Sequence, residues 1–293
     1  MVNREHKSRL FAFIFGREEN RKWILELYNA VNGSHHGNAD DIRITTIEDV
    51  IYMGMKNDVS LLLCDIMSIY EQQSTFNPNM PIRQMMYAGR LYDKYIQENG
   101  LKIYGEKQIP LPVPRLVTFY NGREDRADES VLNLKDAFMG NARAAEADID
   151  VRVRMVNINY GRNRKLLENC GPLREYAWLV EQIRECNEKM GIEDAVDRAI
   201  DEMPDDFEIK GFLLANRAEV KNMCLTEYDE EKVMQMFREE GREEGREEGR
   251  EEGRQNAVLE MVKDGDITCG RAAEKLGKPV DEVERLLMEL IKE

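Results

Sequence analysis

Asp58, Glu71 and Gln73 are the side chains in this 293-residue chain whose types and spacing best suit chemistry. They lie in the stretch KNDVSLLLCDIMSIYEQQS, residues 56–74. Its first half is an almost unbroken apolar run and its second half is polar and alternating, which reads as a central strand, a tight turn, and a second strand leading toward solvent. With a two-residue turn at Asp65-Ile66, Cys64 faces Met67, and the same register sets Asp58 opposite Gln73 and diagonal to Glu71. Side chains alternate along a strand, so all three then project from one face. A three-residue turn would break that coincidence. Two carboxylates and an amide converging at a strand edge suit a hard divalent cation such as Mg2+, which takes oxygen ligands and keeps several waters. The competing reading is a pair of solvated strand-end charges.

The elements around this stretch must position it. Pro81 opens a helix at a place where a missing N–H is tolerated. On that helix Ile82, Met85, Met86 and Tyr92 can face a sheet, while Arg83, Tyr87, Arg90 and Lys94 fall at helical spacing on another side. The second stripe is three cations around an aromatic, either a DNA-backbone contact beside the metal or an ordinary solvated face. Upstream, residues 8–15 read as a short buried helix, and Ile24, Leu27, Tyr28 and Val31 form a helical stripe ended by Gly33. Glu26 falls off that stripe, where a solvated charge is favoured over a metal ligand. The β-branched segment IRITTIEDVIYM reads as a strand, completing a three-stranded antiparallel meander. Residues 115–120 and 149–160 read as two more strands, the latter with a basic exposed face running into Tyr160-Gly-Arg162-Asn-Arg164-Lys165. The acidic stretch between them reads as a loop with a short helix.

The order Asp58, Glu71-x-Gln73, then a helix with Arg83 and Tyr87, resembles the PD-(D/E)XK nuclease fold, in the branch of Rpn-type recombination-promoting nucleases and transposases. The segments VIYMGMKNDVS, YEQQSTFNPNMP, LVTFYNG and AEVKNMCLTEY, and the GREE repeats near the C-terminus, are similar to that branch too. The resemblance spans Ser8 to Arg254. It implies a Mg2+-dependent (or other divalent-metal) DNA endonuclease that hydrolyses phosphodiester bonds, linked to recombination or to a toxin or defence role. Asp58 and Glu71 would hold the metal, Gln73 would position the attacking water, and Arg83, Tyr87 and Arg90 would bind the substrate backbone. The superfamily's last motif residue is a lysine, whereas ExQ is usual in this branch. One departure concerns the N-terminal helix. The branch often reads DxxFKxxF there, while this chain has uncharged Ser8 and Ala12 at the two polar positions. That departure, with the overall acidity, favours the alternative of a catalytically decayed nuclease fold serving as an interaction or regulatory module. No separate integrase-like acidic triad or basic end-binding domain accompanies the transposase label.

Composition sets the remaining bounds. The net charge is −15, which at first argues against a nucleic-acid enzyme. Residues 1–165, however, carry 23 Lys+Arg and 22 Asp+Glu, leaving 19 (42 less 23) against 35 (57 less 22) beyond them. The first half is therefore not repelled from phosphate. Five scattered cysteines without a CxxC pair point to reduced thiols in a cytoplasm. The three histidines give little support to histidine-based catalysis. No apolar run is long enough for a membrane span, and no secretory signal is legible.

Beyond residue 165 the pattern is helical, and residues 238–254 are four REEG repeats and a final Arg. Glu-to-Arg spacing of three is mildly favourable in a helix, but each Gly costs about 1 kcal/mol relative to Ala. The repeat therefore reads as an extended or fraying helical linker, with a long helix as the alternative. The last helices resemble a helix-turn-helix, yet Asp281, Glu282, Glu284, Glu289 and Glu293 outnumber Arg285 and Lys292 on the would-be recognition helix. Protein contact, in a homo-oligomer formed through this C-terminal segment, is the better expectation. The expected architecture is α/β (α+β), with a PD-(D/E)XK restriction-endonuclease-like core, a mixed sheet flanked by helices, over residues 1–165. A helical extension (166–237), the repeat linker (238–254) and a small helical module (255–293) follow.

Overall fold

The computed structural model describes residues 9–46, 58–139 and 146–290. The chain divides into two compact units, Met1–Glu231 and Lys232–Glu293. The first is built on a six-stranded mixed sheet of β1 (Arg43–Ile44), β2 (Val59–Leu63), β3 (Ile66–Gln73), β4 (Val113–Tyr120), β5 (Glu129–Asn133) and β6 (Arg152–Asn157), in the order β1-β2-β3-β4-β6-β5. Strands β1 to β3 form the antiparallel meander, β4 lies parallel to both β3 and β6, and β5 pairs antiparallel with β6. Most of the remainder of the long strand read at residues 42–53 lies outside the described residues. A parallel pair needs a crossover, and α3 (Met80–Glu98) supplies it between β3 and β4.

Three strand readings change. The hairpin turns at Cys64-Asp65, with Leu63 paired to Ile66 and Cys64 at φ 52°, rather than at Asp65-Ile66. Strand β3 is central rather than solvent-bound, because β4 covers its second edge, so even Ser68, Glu71, Gln72 and Gln73 are buried. The acidic stretch after residue 122 contributes the edge strand β5, followed by a 3-10 turn at Leu134–Ala137. The expected basic face of β6 is partly neutralised across this pairing. Arg154 donates to both carboxylate oxygens of Glu129, at 3.1 and 2.8 Å, and to the Val31 carbonyl at 2.8 Å.

Alternation along the strands sends two apolar sets to opposite sheet faces. Val59, Leu61, Leu63, Tyr70, Val117, Phe119 and Val156 join the larger core with α1 (Arg9–Phe15), α2 (Arg21–Asn32), α4 (Arg164–Glu168), α5 (Gly171–Asn187), α6 (Ile192–Asp201) and α7 (Lys210–Ala215). Met67 and Ile69 point the other way, to Tyr87, Ala88 and Leu91 of α3. The stripe expected on α2 is buried, and Gly33 ends the helix at φ 63°. The faces expected on α3 are rotated. Met80, Gln84, Tyr87, Ala88 and Leu91 are buried while Ile82 is 37% exposed. Gln84 explains the shift, since it spends its amide on β4, donating to the Val117 carbonyl and to Thr118 Oγ1, both at 3.1 Å.

The REEG repeats lie inside one helix, α8 (Arg217–Lys263), rather than in an extended linker. Propagation from good helix formers on both sides outweighs the glycines once a nucleus exists. The second unit packs Leu259 of this helix with Ala272, Ala273 and Leu276 of α9 (Cys269–Leu276) and Val283 of α10 (Val280–Leu290). Thr268 caps α9 by accepting from the Arg271 N–H, and Gly277 ends it at φ 65°. No helix among the described residues is long and apolar enough to cross a membrane.

Thiol reactivity offers a direct check of this packing. Cys170 is fully buried and burial pushes its thiol up to about 12, while Cys64 is exposed at the hairpin turn. The thiolate is the reactive form. A disulfide reagent is therefore expected to label Cys64 within minutes in the folded protein and to leave Cys170, Cys186 and Cys224 protected until denaturant is added. Equal labelling rates at Cys64 and Cys170 would contradict the packing of α5 on the sheet.

Candidate metal centre

Asp58 immediately precedes β2, and continuing the observed register by one residue places it directly opposite Glu71. The sequence register had set it opposite Gln73. Moving the turn by one position changes the pairing sum by two, so face parity survives, and Asp58, Glu71 and Gln73 share the face covered by α3. All three are buried, with Asp58 8% and Glu71 3% exposed.

The two carboxylates are tied to each other's strands. Asp58 Oδ2 accepts from the Gln72 backbone N–H at 2.6 Å, and Glu71 Oε1 accepts from the Asp58 N–H at 3.2 Å. Such bonds fix both side chains. Arg83 approaches from the first turn of α3, its Nη2 lying 3.2 Å from Glu71 Oε2 and 3.2 Å from the Tyr87 hydroxyl. Met80, on the same turn, takes a contact from Gln73 Nε2 at 2.8 Å and from Arg83 Nη1 at 3.5 Å. Burial works to lower the Arg83 pKa, but Glu71, Tyr87 and Asp58 outweigh it and the guanidinium is held above its ordinary value. Burial, seconded by the Glu71 charge, raises the Tyr87 phenol. The structure thus brings together Asp58, Glu71, Gln73, Arg83 and Tyr87. Arg90 lies seven residues further along α3, about 10 Å from Arg83 along the helix axis.

A layer missed by sequence reasoning backs the site from the opposite sheet face. Gln72 Nε2 donates to Asn121 Oδ1, Asn121 Nδ2 reaches the Tyr176 hydroxyl at 3.4 Å, and Arg184 Nη2 donates to the Asn121 carbonyl. Arg184 also donates to Asn159 Oδ1 at 3.2 Å, and Asn159 donates to the Gly122 carbonyl at 3.0 Å. Gln72, Asn121 and Asn159 sit at or just past the carboxyl ends of β3, β4 and β6, and Tyr176 and Arg184 on α5. Only the Asn121-Gly122 dipeptide after an apolar strand hinted at them. A Cβ on Gly122 would fall well inside contact distance of the Ser74 carbonyl oxygen and the Tyr120 hydroxyl. Gly122→Ala is therefore expected to lower unfolding stability by roughly 1–3 kcal/mol, the scale of overpacking. A denaturant midpoint indistinguishable from the parent's would show that the crowding is relieved by a small shift.

Glu26 does not join the acid pair. It lies on α2, across the sheet from α3, beside Lys22 at 3.9 Å, with its pKa raised by burial and then by Glu208. No group of three or more His, Cys, Asp or Glu side chains suited to a metal occurs among the described residues. The donor set around Asp58 and Glu71 is therefore two carboxylates, with the amide of Gln73 beside them. Two hard anionic ligands, with the remaining positions left to water and substrate oxygens, fit Mg2+ better than Ca2+ or Zn2+. No family model, curated protein or solved structure matches this chain.

Proposed function

We propose that the chain is a divalent-metal-dependent DNA endonuclease of the PD-(D/E)XK type, related to the Rpn branch. The observation that carries this reading is the facing pair of buried carboxylates, Asp58 and Glu71, held by backbone N–H groups beside a cation on α3. Buried carboxylates are unfavourable unless cationic groups compensate them, Arg83 already lies against Glu71, and an acid pair in such a setting suits cation chemistry. The antiparallel meander and the crossover helix α3 carry the pair.

Mg2+ bound there would supply an acidified water and stabilise charge on the phosphate. The chain's own residues do the positioning. Gln72 N–H orients Asp58, Asp58 N–H orients Glu71, and Met80 holds the Gln73 amide so that its carbonyl oxygen is suited to orient the attacking water. Arg83 and Tyr87 lie beside the acids, and Arg90 continues the cationic line along α3 for a DNA backbone. The test is supercoiled plasmid incubated with the purified protein. Nicked or linear product is expected with Mg2+ and none with EDTA. Equal cutting in both conditions would remove the metal mechanism.

The second reading, a decayed nuclease fold acting as an interaction module, is favoured by one observation: Glu71 is already paired with Arg83. We also propose self-association through the C-terminal unit, supported by Met261, Val280 and Met288 being exposed on a small core. Truncation after Tyr228 is expected to lower the solution mass and to leave DNA affinity unchanged or higher. An unchanged mass with lost DNA binding would restore a DNA-reading role for the tail.

A further inference from the structure

Among the described residues, Arg83 is a cation in direct contact with the acid pair. Arg83 is held from three sides, by Glu71 and Tyr87 through Nη2 and by Met80 through Nη1. Its side chain keeps 27% exposure, whereas that of Glu71 keeps 4%, so Arg83 is the more solvent-accessible member of the contact. Arg83 thus contributes one positive charge beside the two acids. A divalent ion bound by both acids would lie within a few ångströms of Arg83, where two cations repel strongly in a partly buried site.

We infer that Arg83 is the resident counter-cation of the Asp58–Glu71 pair, and that a divalent ion binds by displacing its guanidinium from Glu71. This rests on the reading of that pair as a metal centre and adds a regulation to it, since the protein's own cation sets how much free metal is needed. The Arg83 contact also offsets part of the cost of burying Glu71. Charge, rather than shape, is the property that matters. Arg83 is in this sense a positioning residue, acting through Glu71.

The test is Mn2+ binding to the full-length protein, followed by calorimetry or by the loss of the free-ion resonance signal, with no DNA present. Arg83→Gln is expected to bind about tenfold more tightly than the parent, Arg83→Lys to stay within a factor of about three, and Asp58→Asn to lose binding. Tyr87→Phe removes one anchor of the guanidinium in a well-packed position and is expected to tighten binding about twofold to threefold, so the inference remains testable if Arg83→Gln folds poorly. Parental affinity in both Arg83→Gln and Tyr87→Phe, with binding still lost in Asp58→Asn, would overturn the counter-cation role while leaving the metal centre intact. No Mn2+ binding by the parent or by Arg83→Gln would overturn both.

Discussion

Asp58→Asn is expected to fold normally and to lose about 10³-fold or more in Mg2+-dependent DNA cleavage, the scale of removing a group that stabilises transition-state charge. The substitution is nearly isosteric. Its carbonyl oxygen can still accept the 2.6 Å bond from the Gln72 N–H, so the local backbone need not move. What disappears is one of the two charges facing a bound ion. Glu71→Gln is expected to act in the same direction, and it would also release Arg83. Initial rates of plasmid nicking, with thermal unfolding of each variant as the folding control, read out the effect. Cleavage by Asp58→Asn within a factor of about three of the parent would place the chemistry elsewhere.

Phe119→Ala should have the largest effect on stability, about 3–5 kcal/mol. Phe119 is 0% exposed on β4, between two parallel neighbours, and its ring lies 5.3 Å from that of Phe11 and 5.4 Å from that of Tyr70. The aromatic cluster continues through Phe11 to Phe15 and Tyr176, so one truncation opens a cavity where α1, α5 and the sheet meet. Against a typical total stability of roughly 5–15 kcal/mol, such a loss leaves the first unit marginal. Urea unfolding measures it directly. A change under about 1 kcal/mol would mean that α1 does not pack on β4 as described.

The two hairpin strands were legible because their apolar and alternating patterns differ, and face parity does not depend on the turn's location to within one position. The turn itself was misplaced because Cys64, a residue type with no strong preference for the left-handed region, adopts φ 52°. The burial of β3 was not legible. Glu71, Gln72 and Gln73 read as an exposed strand end, and only long-range cover from β4 and α3 makes them interior. The buried face of α3 differs from its apolar stripe for the same reason, since Gln84 is a polar residue buried to bond a neighbouring strand. Edge strand β5 has one face open to solvent and a polar sequence, ESVLN, so it offered neither an apolar run nor a sharp alternation. The helical spacing of Arg83 leaves open a contact beside the acids or a solvated face, and only the family resemblance favours the first. The bond from Arg83 to Glu71, like the support from Asn121, Tyr176 and Arg184, is a tertiary contact between residues far apart in the chain, which local periodicity does not encode.

The central claim, that Asp58 and Glu71 form a divalent-cation centre, is tested most directly by anomalous diffraction from crystals of the full-length protein grown or soaked with Mn2+. The account predicts a strong anomalous peak roughly 2.0–2.3 Å from a carboxylate oxygen of both residues, with the Arg83 guanidinium moved away from Glu71. Density showing Arg83 still bonded to Glu71, and no anomalous peak at the pair under Mn2+ conditions that support DNA cleavage in solution, would contradict it.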